Sequence, residues 1–183
     1  YAWAHNVEGT RAVLDLAQKH PGLQRFVHFS DVAIAGDRRG VFFEGELLAG
    51  QDFSEPYGES KLLAERRVRA ASGELPVTVL RPGRIVGDQR TGEVDRVRGV
   101  YHLLVFLARL AALPLPLPLR GVPVAPLGSC ARVELVPVDW VVEATIELWR
   151  HPEAVGGTFH LVDPDAPTVR EFLELVCGEL GLR

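Results

Sequence analysis

The spacing of apolar positions along this chain changes repeatedly between a helical period and short continuous runs. The helical period predicts helices, and runs of β-branched and aromatic residues predict strands. Predicted helices cover 6–20, 57–71, 100–113 and 139–149, with Asp139 as an N-cap, and a capping box at Thr168-Val-Arg-Glu171 opens a last helix. Predicted strands cover 25–30, 77–80, 132–138 and 157–162, while 36–54 and 115–127 are predicted to be a loop and a proline-punctuated connection.

The order of these elements predicts the fold class. Helices alternate with strands that are apolar at nearly every position, such as 77–80. Strands of this kind are typical of parallel sheets that are covered on both faces, because a strand with one solvated face alternates apolar and polar residues. The pattern therefore predicts an α/β fold with a parallel sheet.

Composition limits which binding partners and which cellular compartment are expected for the protein. The 183 residues suit about one domain, and the net charge of −4 argues against a general nucleic-acid binder. Cys130 and Cys177 lie far apart without a CxxC motif, which favours free thiols in a reducing compartment and predicts a cytoplasmic location. The six histidines lack metal-ligand spacing, so no metal site is predicted.

The segment 100–119 is apolar, but charged residues and prolines interrupt it, so stable membrane insertion is not expected. A core helix followed by a loop is the favoured interpretation. The alternative is a lining for a hydrophobic substrate chain.

Three arginines lie close together on the predicted helix 57–71. Arg66, Arg67 and Arg69 are expected to form a solvated face.

Tyr57 and Lys61 are the strongest chemical signal. Residues four apart on a helix share one face, and an ammonium group beside a phenol favours the phenolate and so makes the proton easier to release. The chain contains only three Tyr and two Lys. Random placement gives about 0.03 such pairs. The alternative is a surface Tyr and Lys at the start of a helix.

Five segments in order extend this signal. They are Asn6-Val-Glu-Gly-Thr10, the run from Phe29 to Gly36, Tyr57-x-x-x-Lys61, Leu80-Arg-Pro-Gly83 with Gly87-Asp88, and Val136-Pro-Val-Asp139. Together the chain resembles the extended short-chain dehydrogenase/reductases of the NAD-dependent epimerase/dehydratase superfamily. The run from Arg81 to Gly92 is most similar to the thioester-reductase and fatty-acyl-reductase (male sterility) branch.

The resemblance implies the C-terminal part of a Rossmann-like, doubly wound parallel sheet plus a small substrate-binding lobe. Residues 1–93 would belong to the NAD(P)-binding domain, and 94–183 mainly to the lobe, with some elements returning to the sheet. The implied cofactor is NAD or NADP. The implied partner is a small-molecule substrate, with a hydrophobic acyl chain as one candidate, and a homodimer is left open.

The resemblance also implies roles for individual residues. Tyr57 would exchange a proton with the substrate oxygen, Lys61 would hold the nicotinamide ribose, and Asn6 would support the proton path. The backbone of Pro82 and Gly83 would lie against the nicotinamide.

Two features depart from the family pattern. The family places a Ser or Thr hydroxyl where this chain has Asp31, and Ser30 is one residue early, which in a strand means the opposite face. Three interpretations stay open: a protonated Asp31, a shift that puts Ser30 in the role and beside the cofactor, or a weak or dead site. We expect reduced but real activity.

The second departure is that no glycine-rich phosphate-binding turn is present. We expect that turn upstream of Tyr1 in a longer chain, along with the residue that selects NAD or NADP. The favoured function is a reductase for a carbonyl or acyl thioester. The alternatives are a sugar-nucleotide epimerase/dehydratase or hydroxysteroid-type dehydrogenase of the same superfamily, and a non-catalytic cofactor-binding regulatory protein.

Overall fold

The structure is a computed structural model that describes residues 2–97, 99–112 and 132–182. The α-helices in these ranges are α1 (Gly9–Ala17), α2 (Pro56–Ala70), α3 (Val100–Ala111), α4 (Val138–Arg150) and α5 (Val169–Glu179). The β-strands in the same ranges are β1 (Phe26–Phe29), β2 (Val77–Pro82), β3 (Arg84–Val86), β4 (Leu135–Pro137) and β5 (Thr158–Leu161). A π-helical turn at Ala4–Glu8 precedes α1, and short 3₁₀ turns lie at Val32–Ala35 and Pro152–Ala154.

The main sheet has the order β1-β2-β5, and both pairings are parallel. A second parallel pair, β3-β4, continues from the carboxyl end of β2. The predicted α/β fold with a parallel sheet is confirmed.

Helices cover both faces of the main sheet. Val77 and Val79 on one face of β2 pack in a cluster with Leu14 of α1 and Val68 of α2. Leu80 points to the other face and packs with Val141 of α4. Every residue of β2 is buried, which explains why its sequence does not alternate.

The end of β2 differs from the prediction. The strand extends to Pro82, and β3 begins directly after Gly83. A Cβ atom at Gly83 would lie 2.9 Å from the carbonyl oxygen of Glu134. The sequence predicted only that a strand ends near Gly83. In the structure, the glycine also lets the backbone of Glu134 approach closely.

Asp139 does not cap α4, so that prediction is wrong. Pro137 occupies the N-cap position. The Asp139 carboxylate instead accepts a hydrogen bond from the backbone N–H of Gln89 at 3.1 Å and lies 3.6 Å from the Arg90 guanidinium. It thus ties the first turn of α4 to the loop after β3. The capping box at Thr168 and Glu171 is present as predicted.

The loop 36–54 is held against α2 and β2 by hydrogen bonds from a buried arginine to the loop's backbone carbonyls. Arg81 is fully buried, and its guanidinium donates to Glu65 at 2.7 Å and to the Glu46 carbonyl at 2.6 Å. Burial raises the pKa of the Glu65 carboxyl, but hydrogen bonds and the charge of Arg81 outweigh it, so the net shift is downward. The ion pair of Glu65 and Arg81 therefore joins α2 to β2, and the loop binds this pair through its backbone carbonyl at Glu46.

Arg69 extends this ion pair, so the expectation of a solvated face is wrong at this position. Its guanidinium donates to Glu65 at 2.8 Å and to the Glu44 carbonyl at 2.9 Å. Arg66 and Arg67 are exposed, as expected.

The apolar helix α3 is not a core helix in the part of the chain that is described. None of the residues in Val100–Ala111 is buried, and Phe106 is 62% exposed. The remainder of the apolar segment, the predicted connection 115–127 and Cys130 lie outside the described residues. Among the described helices, none has the length and hydropathy needed to span a bilayer.

Candidate active site

A cleft of about 1040 Å³ opens where β1 and β2 end. One wall consists of the segment after β1, from Phe29 to Ala33, together with the first turns of α2. The lining also includes Pro82 to Ile85, at the end of β2 and the start of β3, and 132–135. Ligands of open parallel α/β sheets bind at the carboxyl ends of the strands, so this cleft is the expected location of a functional site.

Tyr57 and Asp31 meet in this cleft. The Tyr57 hydroxyl donates a hydrogen bond to Asp31 Oδ2 at 2.7 Å, and Asp31 Oδ1 accepts one from the backbone N–H of Ala33 at 2.8 Å. Asp31 is therefore fixed by the 3₁₀ turn that it caps, and its second oxygen faces the phenol.

The electrostatics at Tyr57 differ from the expectation. Burial raises the pKa of the phenol, and the hydrogen bond to Asp31 and its negative charge raise it further. The predicted lowering of this pKa by Lys61 is wrong for this structure, because burial of the phenol and the Asp31 carboxylate shift it upward. The phenol is thus held protonated.

Lys61 lies one helical turn from Tyr57 and lines the same cleft. Its Nζ donates to the carbonyl oxygen of Phe29 at 3.0 Å, which anchors it at the end of β1. Burial lowers the pKa of the ammonium group, and the charge of Asp31 opposes that shift. An ammonium group has three donors, so two remain for a ligand.

Ser30 borders the cleft, but its hydroxyl is directed away from Tyr57. The residue is 3% exposed, and its Oγ makes no hydrogen bond of standard geometry. It contributes instead to the low pKa of the Glu65 carboxyl, on the other side of the strand. The structure therefore places Asp31, and not Ser30, beside the phenol.

Asn6 does not line the cleft and reaches Tyr57 through another residue. Its side-chain amide donates to Ser60 Oγ at 2.9 Å, and Ser60 donates to the Tyr57 carbonyl at 2.7 Å. Ser60 is fully buried. Sequence reasoning missed it, although its position three residues after Tyr57 would have placed it on the inner side of α2.

Gly58 was also missed. A Cβ atom there would lie 2.7 Å from the Ala33 carbonyl oxygen and 2.9 Å from the Phe53 ring. Only glycine lets α2 approach the 3₁₀ turn this closely, and that approach sets the distance between Tyr57 and Asp31.

Several proteins of known structure have a similar fold. A reductase structure, the terminal R domain of the myxalamid PKS-NRPS biosynthetic pathway, is 33% identical with a TM-score of 0.75 and covers 96% of this chain and 42% of that chain. A thiolation-reductase di-domain from an archaeal non-ribosomal peptide synthetase shares the fold, with 22% identity and a TM-score of 0.72. The match covers 97% of this chain and 48% of that chain. The dTDP-glucose 4,6-dehydratase from Bacillus anthracis in complex with NAD also shares the fold (20% identity, TM-score 0.70, 98% and 53% covered).

These structures define a Rossmann-like class of NAD-binding reductases, epimerases and dehydratases. Residues 1–145 match the NAD-binding family described as male sterility protein, and the chain belongs to that family. A similar curated protein is the glycine betaine reductase ATRR of Emericella nidulans, 29% identical over 93% of this chain and 13% of that protein. The chain spans under a fifth of the first curated relatives and about half or less of these solved chains.

The predicted family, its male sterility branch and its NAD-binding character are therefore confirmed. The residues of the cleft fit a nicotinamide cofactor. Lys61 offers free donors for ribose hydroxyls, Tyr57 lines the same cleft, and Pro82 and Gly83 also border it, where a nicotinamide ring would lie. Each of these residues borders one continuous space at the strand ends.

Proposed function

We propose that this chain contributes the proton donor and the substrate cleft of an NAD(P)-dependent reductase that acts on a carbonyl or an acyl thioester. The observation that supports this most is the position of Tyr57 and Lys61 in one cleft at the carboxyl ends of β1 and β2. The family and the similar reductases support the same conclusion.

Reduction of a carbonyl needs a hydride at carbon, which a nicotinamide cofactor supplies when bound, and a proton at oxygen. Tyr57 supplies that proton, because its hydroxyl faces the cleft and stays protonated at neutral pH. Lys61 orients the ribose and places positive charge near the tyrosinate that forms. With a thioester, the reduced carbon then expels the thiol, which leaves an aldehyde.

Asp31 limits this chemistry. A Ser or Thr hydroxyl would donate a second hydrogen bond to the substrate oxygen, whereas an ionised carboxylate only accepts. Because the Tyr57 hydroxyl already donates to Asp31, a substrate oxygen must compete for that donor. We therefore infer a reductase with reduced but real turnover.

The experiment is Tyr57→Phe in the full-length protein, assayed with aldehydes and acyl thioesters. We expect turnover to fall by about 10³-fold or more, since a general acid supplies about 10²–10⁴, while cofactor affinity changes little. Tyr101→Phe is the matched control, because Tyr101 binds the backbone N–H of Gly87 and does not border the cleft. An unchanged rate in Tyr57→Phe refutes the assignment.

The hydrogen bond from Tyr57 to Asp31 also favours a second candidate, a non-catalytic cofactor-binding protein in which the phenol is permanently engaged. The wild-type protein separates the two. Tight NAD(P)H binding without turnover on any aldehyde or thioester would support the second candidate.

Two finer proposals follow from the first. Val100, at the start of the apolar helix α3, borders the cleft, so a hydrocarbon chain on the substrate could extend along α3. The thiol of Cys177 is free, and we place the protein in the cytoplasm, where a thiol stays reduced.

A further inference from the structure

Glu134 borders the same cleft as Tyr57, and its backbone is held in place by neighbouring strands. Its carbonyl oxygen accepts a hydrogen bond from the Arg84 N–H at 2.7 Å, and the absence of a side chain at Gly83 lets the two backbones pack together. The next residue begins β4, which pairs with β3. The backbone at Glu134 therefore has little freedom.

One carboxylate oxygen of the Glu134 side chain, in contrast, accepts no hydrogen bond from the described residues. Glu134 Oε2 is buried and makes no hydrogen bond within the described residues. The nearby Arg132 does not pair with it and donates to the Ala166 carbonyl at 2.5 Å. Burial raises the pKa of the Glu134 carboxyl, Arg132 lowers it, and Asp163 raises it. Burying a carboxylate oxygen without a hydrogen-bond donor costs free energy. Such a group beside a cleft is therefore a candidate for binding a ligand.

The other carboxylates of the cleft are either engaged or exposed. Asp31 binds Tyr57 and the Ala33 N–H, and Asp37 accepts from the Asp52 N–H at 2.8 Å. Glu55 is exposed at the start of α2. Among the described lining residues, Glu134 is thus the carboxylate that has one buried oxygen without a hydrogen-bond donor.

We propose that Glu134 is a specificity-determining residue that accepts a hydrogen bond from an ammonium or amide N–H group on the acyl portion of the substrate. This rests on the proposed reductase function and adds the substrate chemistry. The carbonyl is held at Tyr57, and the nitrogen of the same acyl group lies at Glu134 in the same cleft. A purely hydrocarbon chain leaves the carboxylate unpaired and binds less well.

The test uses the full-length protein and N-acetylcysteamine thioesters of increasing chain length. Each length is made in three forms, with a terminal ammonium, a terminal acetamide, or a terminal methyl group. At one chain length we expect the wild type to prefer the ammonium form, or the acetamide form, over the methyl form by about tenfold or more in kcat/KM, as for a hydrogen bond to a charged group.

Glu134→Gln should reduce kcat/KM for the ammonium form by about tenfold and leave the methyl form within about twofold. Glu55→Gln is the matched control and should preserve the preference. The cofactor KM should not change in either variant; a rise confined to the cofactor KM in Glu134→Gln would overturn the proposal by assigning Glu134 to the cofactor.

Two further readouts keep the outcomes separate. Turnover of the methyl form without any preference overturns the role of Glu134 and leaves the reductase function intact. If no thioester is reduced, dissociation constants of unreactive amide analogues decide: equal affinity of wild type and Glu134→Gln for the ammonium analogue overturns the proposal. The variant should also unfold at the same or a higher temperature, because it removes an unpaired buried charge; a clear fall would show a structural partner and overturn it.

Discussion

The Tyr57 hydroxyl donates its hydrogen bond to Asp31 Oδ2 at 2.7 Å, across the gap between α2 and the 3₁₀ turn that follows β1. The resemblance to short-chain reductases places a neutral hydroxyl where this carboxylate lies. The pair therefore combines a proton donor with a competing acceptor, and most of the behaviour expected of this site follows from that competition.

Replacing Asp31 by Thr should increase turnover several-fold, because it removes the competing charge and restores a hydroxyl donor for the substrate oxygen. Thr can also cap the 3₁₀ turn through its hydroxyl, so folding should be preserved. The measurement is kcat on a fixed aldehyde or thioester. Asp31→Asn separates the two effects, since it removes the charge without adding a hydroxyl.

A large loss of turnover in Asp31→Thr would mean that the carboxylate has its own chemical duty. The interpretation of Asp31 as the limiting feature would then be wrong.

The pH dependence follows from the same pair. Burial and Asp31 raise the pKa of the Tyr57 phenol, so the folded state binds that proton more tightly than the unfolded chain does. The resulting stabilisation is complete below the unfolded pKa of about 10 and is lost as pH rises through the folded value. Ultraviolet titration should show one tyrosine that ionises later than the others, and Asp31→Asn should make it ionise earlier.

Tyr57→Phe identifies that late group, because the late step should disappear in this variant. A titration in which all tyrosines ionise together near their ordinary pKa would contradict the electrostatic account of the site.

The sequence predicted the parts of the site that depend on local spacing. Tyr57 and Lys61 lie one helical turn apart, so a helix alone brings them to one face. Alternation along an extended segment puts the neighbours Asp31 and Ser30 on opposite faces. The meeting of Asp31 with Tyr57 was expected from the resemblance to the short-chain reductases.

The relations that the sequence did not reveal depend on contacts between distant segments. The contacts of Arg69 require the loop 36–54 to lie across α2, and the role of Asp139 requires the loop after β3 to reach α4. Gly58 looks like an ordinary residue of a helix until the carbonyl of Ala33 is placed beside it. The contacts of all three residues depend on tertiary packing, which local sequence patterns do not encode.

Gly58→Ala should disturb the site more than its small size suggests. The new methyl group would lie 2.7 Å from the Ala33 carbonyl oxygen, so α2 or the 3₁₀ turn must move, which displaces the Tyr57 hydroxyl from its position in the cleft. We expect a loss of about 1–3 kcal/mol of unfolding free energy and a lower kcat. Gly73→Ala is the matched control, since a Cβ atom there has no neighbour within 4 Å. Equal stability of the two variants would contradict the close approach.

The ion pair between Glu65 and Arg81 should contribute strongly to the stability of the helix that presents Tyr57. Both side chains are fully buried, so Glu65→Gln leaves the guanidinium without its counter-charge and should cost about 3–5 kcal/mol in chemical denaturation. The folded-state pKa of Glu65 is lowered, so this stabilisation is present above the unfolded pKa of about 4.3 and is lost as pH falls through the folded value. Glu8→Gln, which breaks the exposed pair with Arg11, should cost under about 0.5 kcal/mol. Similar losses in the two variants would show that the buried pair is compensated by the loop carbonyls that also bind Arg81.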